Sequence, residues 1–462
     1  MIQPNFYPFD PSTKSQWRAK AQQDLGDKDF DKTLVQSLWN TIPQDPYYNA
    51  EDWPEKPKAM SFHRESDTPG LPPRLWSNLA SVSPTDEKSG NLEILQLLNN
   101  GVDGLVLQLS SPLAWGTLLD QIQFPYIEIY LQTESRDVIE SFGEYFQKST
   151  HKDLRGGILH SPFDELFSRN EDFKSTLSFA KEQLDRWDDF PAFHPICLNF
   201  ARYSNSGGTG LQELCYGFGE LIELTSNLEE MGISPERTFR NTLIHSAVTI
   251  QYFPEIAKLK ALRLLYAQIA SHFQVTVHPE MLHLICSTST WNHSISDSHN
   301  NLIRQSTESM SAILGGCNAL WTIPSGPDSS DEMQRRMAKN VSILLQEEAY
   351  LDKVIDPAAG SYYVESLIHQ IQTQTQESIA LLESEGGWLA AFQNRSMQQK
   401  IRSQRQHSHD LFLQGHHVGI GSNIYTNQSN SAVNISFEEI EEEDYQLKEN
   451  RISYSFDQQK NL

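Results

Sequence analysis

Between about residue 90 and residue 350, short apolar segments alternate with helical patterns, and this alternation constrains the fold more than any other feature. An apolar run without polar alternation is typical of a strand buried on both faces, so strands separated by helices predict a parallel sheet covered by helices. The strand-like runs are GLVLQLS (104–110), YIEIYLQ (126–132), GGILHS (156–161), PICLNFA (195–201), TLIHSAV (242–248), LHLICSTST (282–290) and ALWTIPS (319–325).

The segments between these runs have the 3.6-residue period of helices. One helical face carries Leu259, Leu262, Tyr266, Ile269 and Phe273, which are spaced for a single apolar stripe. An eighth strand would be WSNLASV (76–82) or a short piece near 353–364. Eight strands close a (β/α)8 TIM barrel, whereas fewer leave an open doubly wound sheet. We predict the α/β barrel.

The flanking segments divide the rest of the chain. Residues 1–75 are predicted to be an N-terminal arm and linker, aromatic at first and proline-rich over 56–75, that packs on the barrel or on a second subunit. Residues 76–427 would form the barrel with trailing helices. Residues 428–462 would form an acidic tail, and its run FEEIEEEDY (437–445) is of a kind that is usually solvated and mobile.

Composition excludes several classes of function. The 462 residues carry a net charge of −24, which argues against a nucleic-acid or anionic-membrane partner. No apolar run approaches the roughly 20 residues of a membrane span, and the start MIQPNFYPFDP lacks a signal-peptide pattern, so a cytoplasmic location is expected. None of the cysteines has metal-ligand spacing, and we expect buried free thiols at Cys197, Cys215, Cys286 and Cys317.

Barrel sites form at the carboxyl ends of the strands, where this chain has few reactive groups. No GxSxG, HExxH, GxxxxGK[ST] or GxGxxG motif occurs, and His278 and His283 lack zinc spacing, so both are expected to be surface or core residues. The loop SNSGGTG (204–210) could bind phosphate at a helix N-terminus or be a plain strand-to-helix turn. The candidate side chains at strand ends are His160, Arg202, Tyr203, His245, Ser287, Thr288 and Ser325.

The loop GHHVGIG (415–421) fits only half of a known ligand pattern. Cobalamin-binding domains carry DxHxxG, and here His416 and Gly419 match its second part, but Gln414 stands at the aspartate position. We therefore do not expect His416 to bind cobalamin.

Several stretches together resemble the methylmalonyl-CoA mutase family. They extend the resemblance from about residue 17 to 427, and the block 254–367 is the most specific part. In chain order, the stretches are PEIAKLKALRLLYAQIA (254–270), STSTWNHSISDSHNNLIRQSTESMSAILGG (287–316), AKNVSILLQEE (338–348), VIDPAAGSYYVESL (354–367) and ESEGGW (383–388).

This resemblance implies a radical rearrangement of an acyl-CoA, with adenosylcobalamin as the source of the radical and the CoA ester running along the barrel axis. The cofactor would supply the chemistry and the protein would orient and shield the substrate. A separate carboxyl-terminal domain holds cobalamin in the family. Some members pair a catalytic large chain with an inactive small chain of similar fold.

The departures from the family favour the inactive chain. No cobalamin domain with DxHxxG follows the barrel, and the tyrosine expected between Gly70 and Trp76 is missing. By the resemblance, Arg202 stands at the place of the histidine that contacts the substrate carbonyl, and we predict that it fills space a substrate would need. Only Arg169 matches a substrate-binding residue, and we interpret it as vestigial.

The resemblance therefore predicts a small, non-catalytic (beta) subunit without catalytic residues, metal or cofactor of its own. Its partner would be a large subunit that holds adenosylcobalamin, and their heterodimer would interconvert methylmalonyl-CoA and succinyl-CoA in propionate metabolism. The alternative is an active acyl-CoA mutase barrel whose cobalamin domain is a separate chain. An unrelated barrel hydrolase or aldolase lacks a supporting triad, Schiff-base lysine or metal cluster.

Overall fold

The computed structural model describes residues 12–53, 70–295, 298–325, 331–426 and 439–461. A parallel β-sheet forms its centre, and its strands follow the apolar runs of the sequence. The strands are β1 (Ser77–Val82), β2 (Gly104–Gln108), β3 (Glu128–Gln132), β4 (Arg155–Ile158), β5 (Phe193–His194 and Ile196–Asn199), β6 (Thr242–Val248), β7 (His283–Thr288) and β8 (Ala319–Trp321).

The sheet closes on itself as an eight-stranded barrel. Each strand pairs in parallel with the next, and β8 returns to β1. Pro195 divides β5, so its first part pairs with β4 and its second part with β6, because proline has no N–H for a continuous ladder. The (β/α)8 prediction is confirmed. The eighth strand is the candidate at 76–82, while the alternative near 353–364 is a turn and the start of a helix.

Helices cover the outside of the barrel. None of the helices within the described ranges combines the length and apolar character needed to cross a membrane. The helices of four or more residues that follow β1 to β8 in turn are Glu87–Leu98, Trp115–Leu118, Arg136–Lys148, Asp164–Arg169, Phe173–Arg186, Ala201–Asn205, Gly210–Glu230, Pro235–Arg240, Tyr252–His272, Ser298–Gly315 and Glu332–Glu347. The helices of the flanking regions are Lys14–Leu25, Phe30–Leu34, Tyr362–Ser384, Gly387–Gln393, Ser396–Leu413 and Tyr454–Asn461.

Side chains fill the barrel axis from its amino end to its middle. At the amino end, the Tyr130 hydroxyl donates to Glu128 at 2.7 Å and lies 2.6 Å from His283 Nε2. The His283 ring stacks on His194 with 4.7 Å between centroids. The middle layer is at most 1 % exposed and consists of Leu79, Val106, Tyr130, Leu243 and Ile285.

The described part of the N-terminal arm packs on the helices of its own barrel. The arm includes a hairpin of Gln36–Leu38 and Ile42–Gln44, and Leu38 and Ile42 are buried in the main core. At the hairpin tip, the Trp39 indole donates to Gln251 at 2.9 Å. Most of the proline-rich connector predicted over 56–75 lies outside the described residues.

Residues 439–461 cross the carboxyl end of the barrel, which differs from the expectation of a solvated tail. The amides of Asn450 and Ile452 donate to the carbonyls of Asn205 and Trp291, both at 2.8 Å. Leu447 is 7 % exposed and belongs to the main core. The sequence shows only that the run 437–445 is acidic. It does not show the contacts of the C-terminal segment, because the residues that it contacts are distant in the chain.

Glu442 anchors this C-terminal segment, and we expect Glu442→Ala to loosen it. Its carboxylate, 9 % exposed, contacts Arg402 and Arg405, and such charged hydrogen bonds contribute about 1.5–3 kcal/mol. Exchange of the Asn450 and Ile452 amide hydrogens should accelerate at least tenfold, since tenfold corresponds to about 1.4 kcal/mol. Glu441→Ala, at an exposed position, is the control. Equal exchange in both variants would contradict the anchoring role.

Candidate functional site

A cavity of about 700 Å³ lies at the carboxyl ends of β2 to β5, the end of the barrel where sites form. Gln108 and Gln132 extend from β2 and β3 into its wall, and their amides hydrogen bond at 2.7 Å. The C-terminal segment covers it with residues 446–449. The cavity is thus bounded by the mouth of the barrel below and by a distant part of the chain above.

Arg202 lies in the wall of this cavity. Its guanidinium contacts Asp164, lies 3.8 Å from Glu220 and sits 4.1 Å above the Phe167 ring. These partners hold the side chain against the wall and leave open space beside it. That Arg202 fills space a substrate would need stays a prediction; below it, the middle layer of the barrel is filled with buried side chains.

Behind Arg202, Glu220 is a buried carboxyl with an unusual pKa. Burial raises its pKa to about 7, although Arg202 and the Tyr203 hydroxyl oppose this shift. Tyr203 donates to Glu220 at 2.6 Å and accepts from the Trp388 indole at 2.9 Å. Tyr203 is fully buried, so this candidate supports the wall and does not face the cavity.

Glu220→Gln should change the pH dependence of stability. A folded-state pKa near 7 exceeds the unfolded value of about 4.3, so the folded chain keeps a proton that the unfolded chain loses. Parent stability is thereby lowered as pH rises through this window, by at most about 1.4 kcal/mol per pH unit. The variant lacks this loss. In urea unfolding at pH 5 to 8, the free energy of unfolding of the variant minus that of the parent should increase up to about pH 7. A difference that does not change with pH would contradict the assignment.

His160, after β4, also lies in the wall and is 3 % exposed. Burial, followed by the charges of Arg202 and Arg136, lowers its pKa to about 4, so the ring is neutral at pH 7. Its Nδ1 lies 3.6 Å from Asp164. Its Nε2 has no hydrogen-bond partner among the described residues.

The remaining strand-end candidates stabilise the barrel top. His245 and Ser287 hydrogen bond at 2.9 Å inside the barrel, where burial lowers the His245 pKa to about 4. Thr288 accepts from the Ile323 amide, and Ser325 bonds to the helix residue Gln334. None of these four lines the mouth cavity, so the structure does not bring them together with Arg202.

The loop SNSGGTG is a strand-to-helix turn in this structure. Thr209 accepts from the Gln212 amide and forms a capping box with it, and the Trp39 ring covers Gly210. Asn205 accepts from Asn450 through its carbonyl. The helix N-terminus that a phosphate would need is therefore already capped by Thr209 and covered by Trp39.

Two further assignments concern exposed residues. Arg169 ends the helix Asp164–Arg169 and is exposed; its neighbour Ser168 lines the cavity, while Arg169 does not. His416 is exposed in the loop after the helix Ser396–Leu413.

His283 was expected to be either a surface or a core residue. It is a core residue at the amino end of the barrel.

The possible metal ligands and the cysteines are distributed over the fold. Within the described ranges, no three such side chains group as a metal site. All four cysteines are free and buried, as expected. Burial raises the pKa of Cys215 to about 12, which leaves this thiol protonated and unreactive.

The sequence reasoning missed Gln108, Gln132, Asp164 and Glu220. The sequence did contain a signal for the two glutamines. Both strands end in Leu-Gln, and because side chains alternate between the two faces of a strand, both glutamines fall on the face that points into the barrel. Asp164 and Glu220 lie within helices, where nothing in the local pattern separates them from solvated acids.

The sequence of this chain matches a known family model over residues 147–460, and that model describes methylmalonyl-CoA mutase. The chain belongs to the methylmalonyl-CoA mutase family. It is 28 % identical over 438 residues to the methylmalonyl-CoA mutase small subunit of Porphyromonas gingivalis, covering 91 % of this chain and 71 % of the relative.

Two other relatives show how much of the family's length this chain spans. The small subunit of Streptomyces virginiae is 26 % identical, over 84 % of this chain and 66 % of its own length. The methylmalonyl-CoA mutase of Cereibacter sphaeroides is 31 % identical over 51 % of this chain, which spans about a third, 34 %, of that relative.

The described residues at the barrel mouth of this mutase-family chain do not fit a corrin. A cofactor acting in a barrel would approach its carboxyl end, where the C-terminal segment is bonded to Asn205 and Trp291. The nearest match to a lower-ligand motif, at His416, has Gln414 in place of the carboxylate.

Proposed function

We propose that this chain is the non-catalytic small subunit of a heterodimeric, adenosylcobalamin-dependent methylmalonyl-CoA mutase. In this proposal a large subunit holds the cofactor and interconverts methylmalonyl-CoA and succinyl-CoA, a step of propionate metabolism. The small-subunit names of the Porphyromonas and Streptomyces relatives support the assignment.

The filled barrel axis is the observation that carries the proposal. An acyl-CoA threaded along the axis would need the volume of a layer whose members, such as Leu79, Val106 and Leu243, are at most 1 % exposed. Interiors this densely packed do not admit a chain of atoms without displacing side chains. The cationic Arg202, already paired with Asp164, also lacks the acid–base versatility of a histidine.

The work of such a subunit would be to stabilise its partner across a large shared surface. Obligate interfaces of this kind bury about 2,000 Å² or more. The net charge of −24 suits a protein partner better than a nucleic acid, and the four buried free thiols suit a reducing compartment such as the cytoplasm.

Affinity capture with a tagged full-length chain from its native cells tests the proposal. We expect a cobalamin-containing mutase chain to be recovered in equal amount, and mutase turnover in that complex. The isolated chain, mixed with a free cobalamin domain, adenosylcobalamin and methylmalonyl-CoA, should show no turnover. Turnover in this mixture would instead establish the alternative, an active barrel served by a separate cobalamin domain.

A further inference from the structure

The C-terminal segment is fastened to a flanking helix through the side chain of His409, which is 4 % exposed. The His409 Nε2 lies 3.0 Å from the carbonyl oxygen of Arg451, and the Nδ1 lies 3.1 Å from the hydroxyl oxygen of Ser455. Arg451 stands between Asn450 and Ile452, the two residues whose amides donate to loops at the carboxyl end of the barrel. The His409 contact is therefore continuous with the contacts that hold the segment over the mouth.

Two aromatic rings stack on the imidazole of His409. Trp291, in the loop after β7, lies 5.6 Å away between ring centroids with 18° between the planes. Tyr454, in the segment, lies 6.2 Å away with 27° between the planes. The Trp291 carbonyl also accepts from the Ile452 amide at 2.8 Å. The loop, the helix and the segment thus meet at one imidazole, the side chain whose charge most readily changes near neutral pH.

The two hydrogen bonds of His409 define its uncharged form. The Arg451 carbonyl oxygen can only accept, so the ring hydrogen lies on Nε2. The Nδ1 is then free to accept from the Ser455 hydroxyl, and both ring nitrogens are satisfied. A second proton would have to bind at Nδ1, which would place a positive charge on a buried ring whose two partners, a carbonyl and a hydroxyl, carry no counter-charge.

The charges around the ring do not offset this cost. Burial lowers the pKa of His409, and the nearby charge of Arg405 lowers it further, whereas the Arg451 carbonyl and the charge of Asp410 oppose the shift without cancelling it. The ionisable residues close to the contact positions on the surrounding elements are Arg405, His407 and Asp410 on the helix, His293 on the Trp291 loop, and Glu449, Arg451, Tyr454 and Asp457 on the segment.

Several of these groups are bound to partners of their own. Arg405 contacts the carboxylate of Glu442, the Asp457 carboxylate accepts from Ser453 at 2.7 Å, and His293 lies 3.3 Å from Glu308.

The stacked rings also compensate little for a charged imidazole. Attraction between a cation and an aromatic face acts within about 6 Å of the ring centroid. Tyr454, at 6.2 Å, lies beyond this distance and Trp291, at 5.6 Å, lies near its limit.

These contacts couple the position of the segment to the protonation of one residue. A histidine in water takes up its proton at a pKa of about 6.5, whereas the bound ring resists it, so protons favour the detached state and the contact weakens as pH falls below about 6.5. We propose that His409 is a pH-sensitive latch whose protonation releases residues 450–457 from the helix and loosens the cover of the barrel mouth. This proposal does not depend on the small-subunit role.

Hydrogen exchange of the full chain at pH 5.5, 6.5 and 7.5 tests the latch, with each observed rate divided by the intrinsic rate at the same pH. We expect the protection of the Asn450 and Ile452 amides to fall about three- to tenfold from pH 7.5 to pH 5.5. The Asn318 amide, which donates to Leu284 inside the barrel at 2.8 Å, should keep its protection. Constant protection of the segment, or an equal fall at Asn318, would overturn the proposal.

Two substitutions assign the pH dependence to one histidine. His409→Gln keeps a donor for the Arg451 carbonyl and cannot be protonated, so the protection of the segment should no longer change over this pH range. His407→Gln, at an exposed position of the same helix, is the control and should follow the parent. A parent-like pH dependence in His409→Gln would refute the latch.

A direct titration of the parent keeps the test decisive if His409→Gln weakens the segment at every pH. The NMR signal of the His409 ring in the full chain should titrate with a midpoint below 6.5, because the bound ring resists the proton. A midpoint at or above the value of about 6.5 for a histidine in water would show that protonation does not oppose the contact, and the proposal would fall.

Discussion

Lys258→Met is expected to lower the free energy of unfolding by about 3–5 kcal/mol. The Lys258 ammonium is fully buried and lies 2.7 Å from the carboxylates of both Glu213 and Glu255, which are also buried. Burial alone would lower the pKa of Lys258, but the two carboxylates raise it overall. Methionine keeps much of the volume and removes the charge, which leaves two acids without a cation.

Urea unfolding at pH 8 measures this loss, with Lys20→Met as the matched control. Lys20 forms an exposed pair with Asp24, and exposed pairs on a helix contribute about 0.3–0.5 kcal/mol. A loss as small in Lys258→Met would show that the buried cluster does not hold its acids in the charged form.

The effect of Lys258→Met should also depend on pH in a definite direction. Burial raises the folded-state pKa of Glu213, and without the opposing charge of Lys258 it lies further above the unfolded value of about 4.3. The penalty is then complete well above the folded-state pKa and is relieved as pH falls and the carboxylate takes up a proton. We expect a smaller difference from the parent at pH 5 than at pH 8. An equal difference at both would assign the loss to packing.

Gly156→Ala is expected to cost about 2–6 kcal/mol, from about 1–3 kcal/mol of backbone strain and about 1–3 kcal/mol of overpacking. Gly156 lies in β4 with φ of 116°, where side chains are rarely tolerated. An added Cβ would lie 2.1 Å from the carbonyl oxygen of Ile129 on β3. The backbone of β4 fixes the position of the Cβ and the oxygen belongs to the backbone of β3, so neither can move without disturbing the sheet.

Gly26→Ala separates the two contributions to this loss. Gly26 also has positive φ, 64°, but nothing lies within 4 Å of its added Cβ. Backbone strain alone should cost about 1–3 kcal/mol there. If the urea midpoints of the two variants fall equally, the approach to Ile129 contributes nothing and only the backbone conformation matters.

The strands and helices of the barrel could be predicted because their signals are local. The stripe of Leu259, Leu262, Tyr266 and Ile269 is buried as the period predicted. The same helix also buries Lys258, Lys260 and Arg263, which no periodicity indicates. Lys260 pairs with Asp356 and Arg263 donates to the Gly316 carbonyl, partners that lie 96 and 53 residues away along the chain.

The candidate site divides in the same way. Its place at the strand ends follows from the fold class, and the residues predicted at those ends include His160 and Arg202. The direction in which Arg202 points did not follow, since it depends on Asp164, Glu220 and Phe167 from other elements. The position of Leu447 over the mouth could not be predicted either, because it follows directly on the run 437–445, whose acidic composition indicates a solvated segment.

The sequence by itself determined the α/β class, the order of strands and helices, and the resemblance to the mutase family, since each rests on local period or local motif. Only the tertiary structure decided that the barrel axis is filled, that Arg202 is held against the wall and that a polar cavity remains under the C-terminal segment. Those features depend on the volumes and charges of side chains brought together from distant parts of the chain. A linear pattern records which groups are present, but not which of them share the same space.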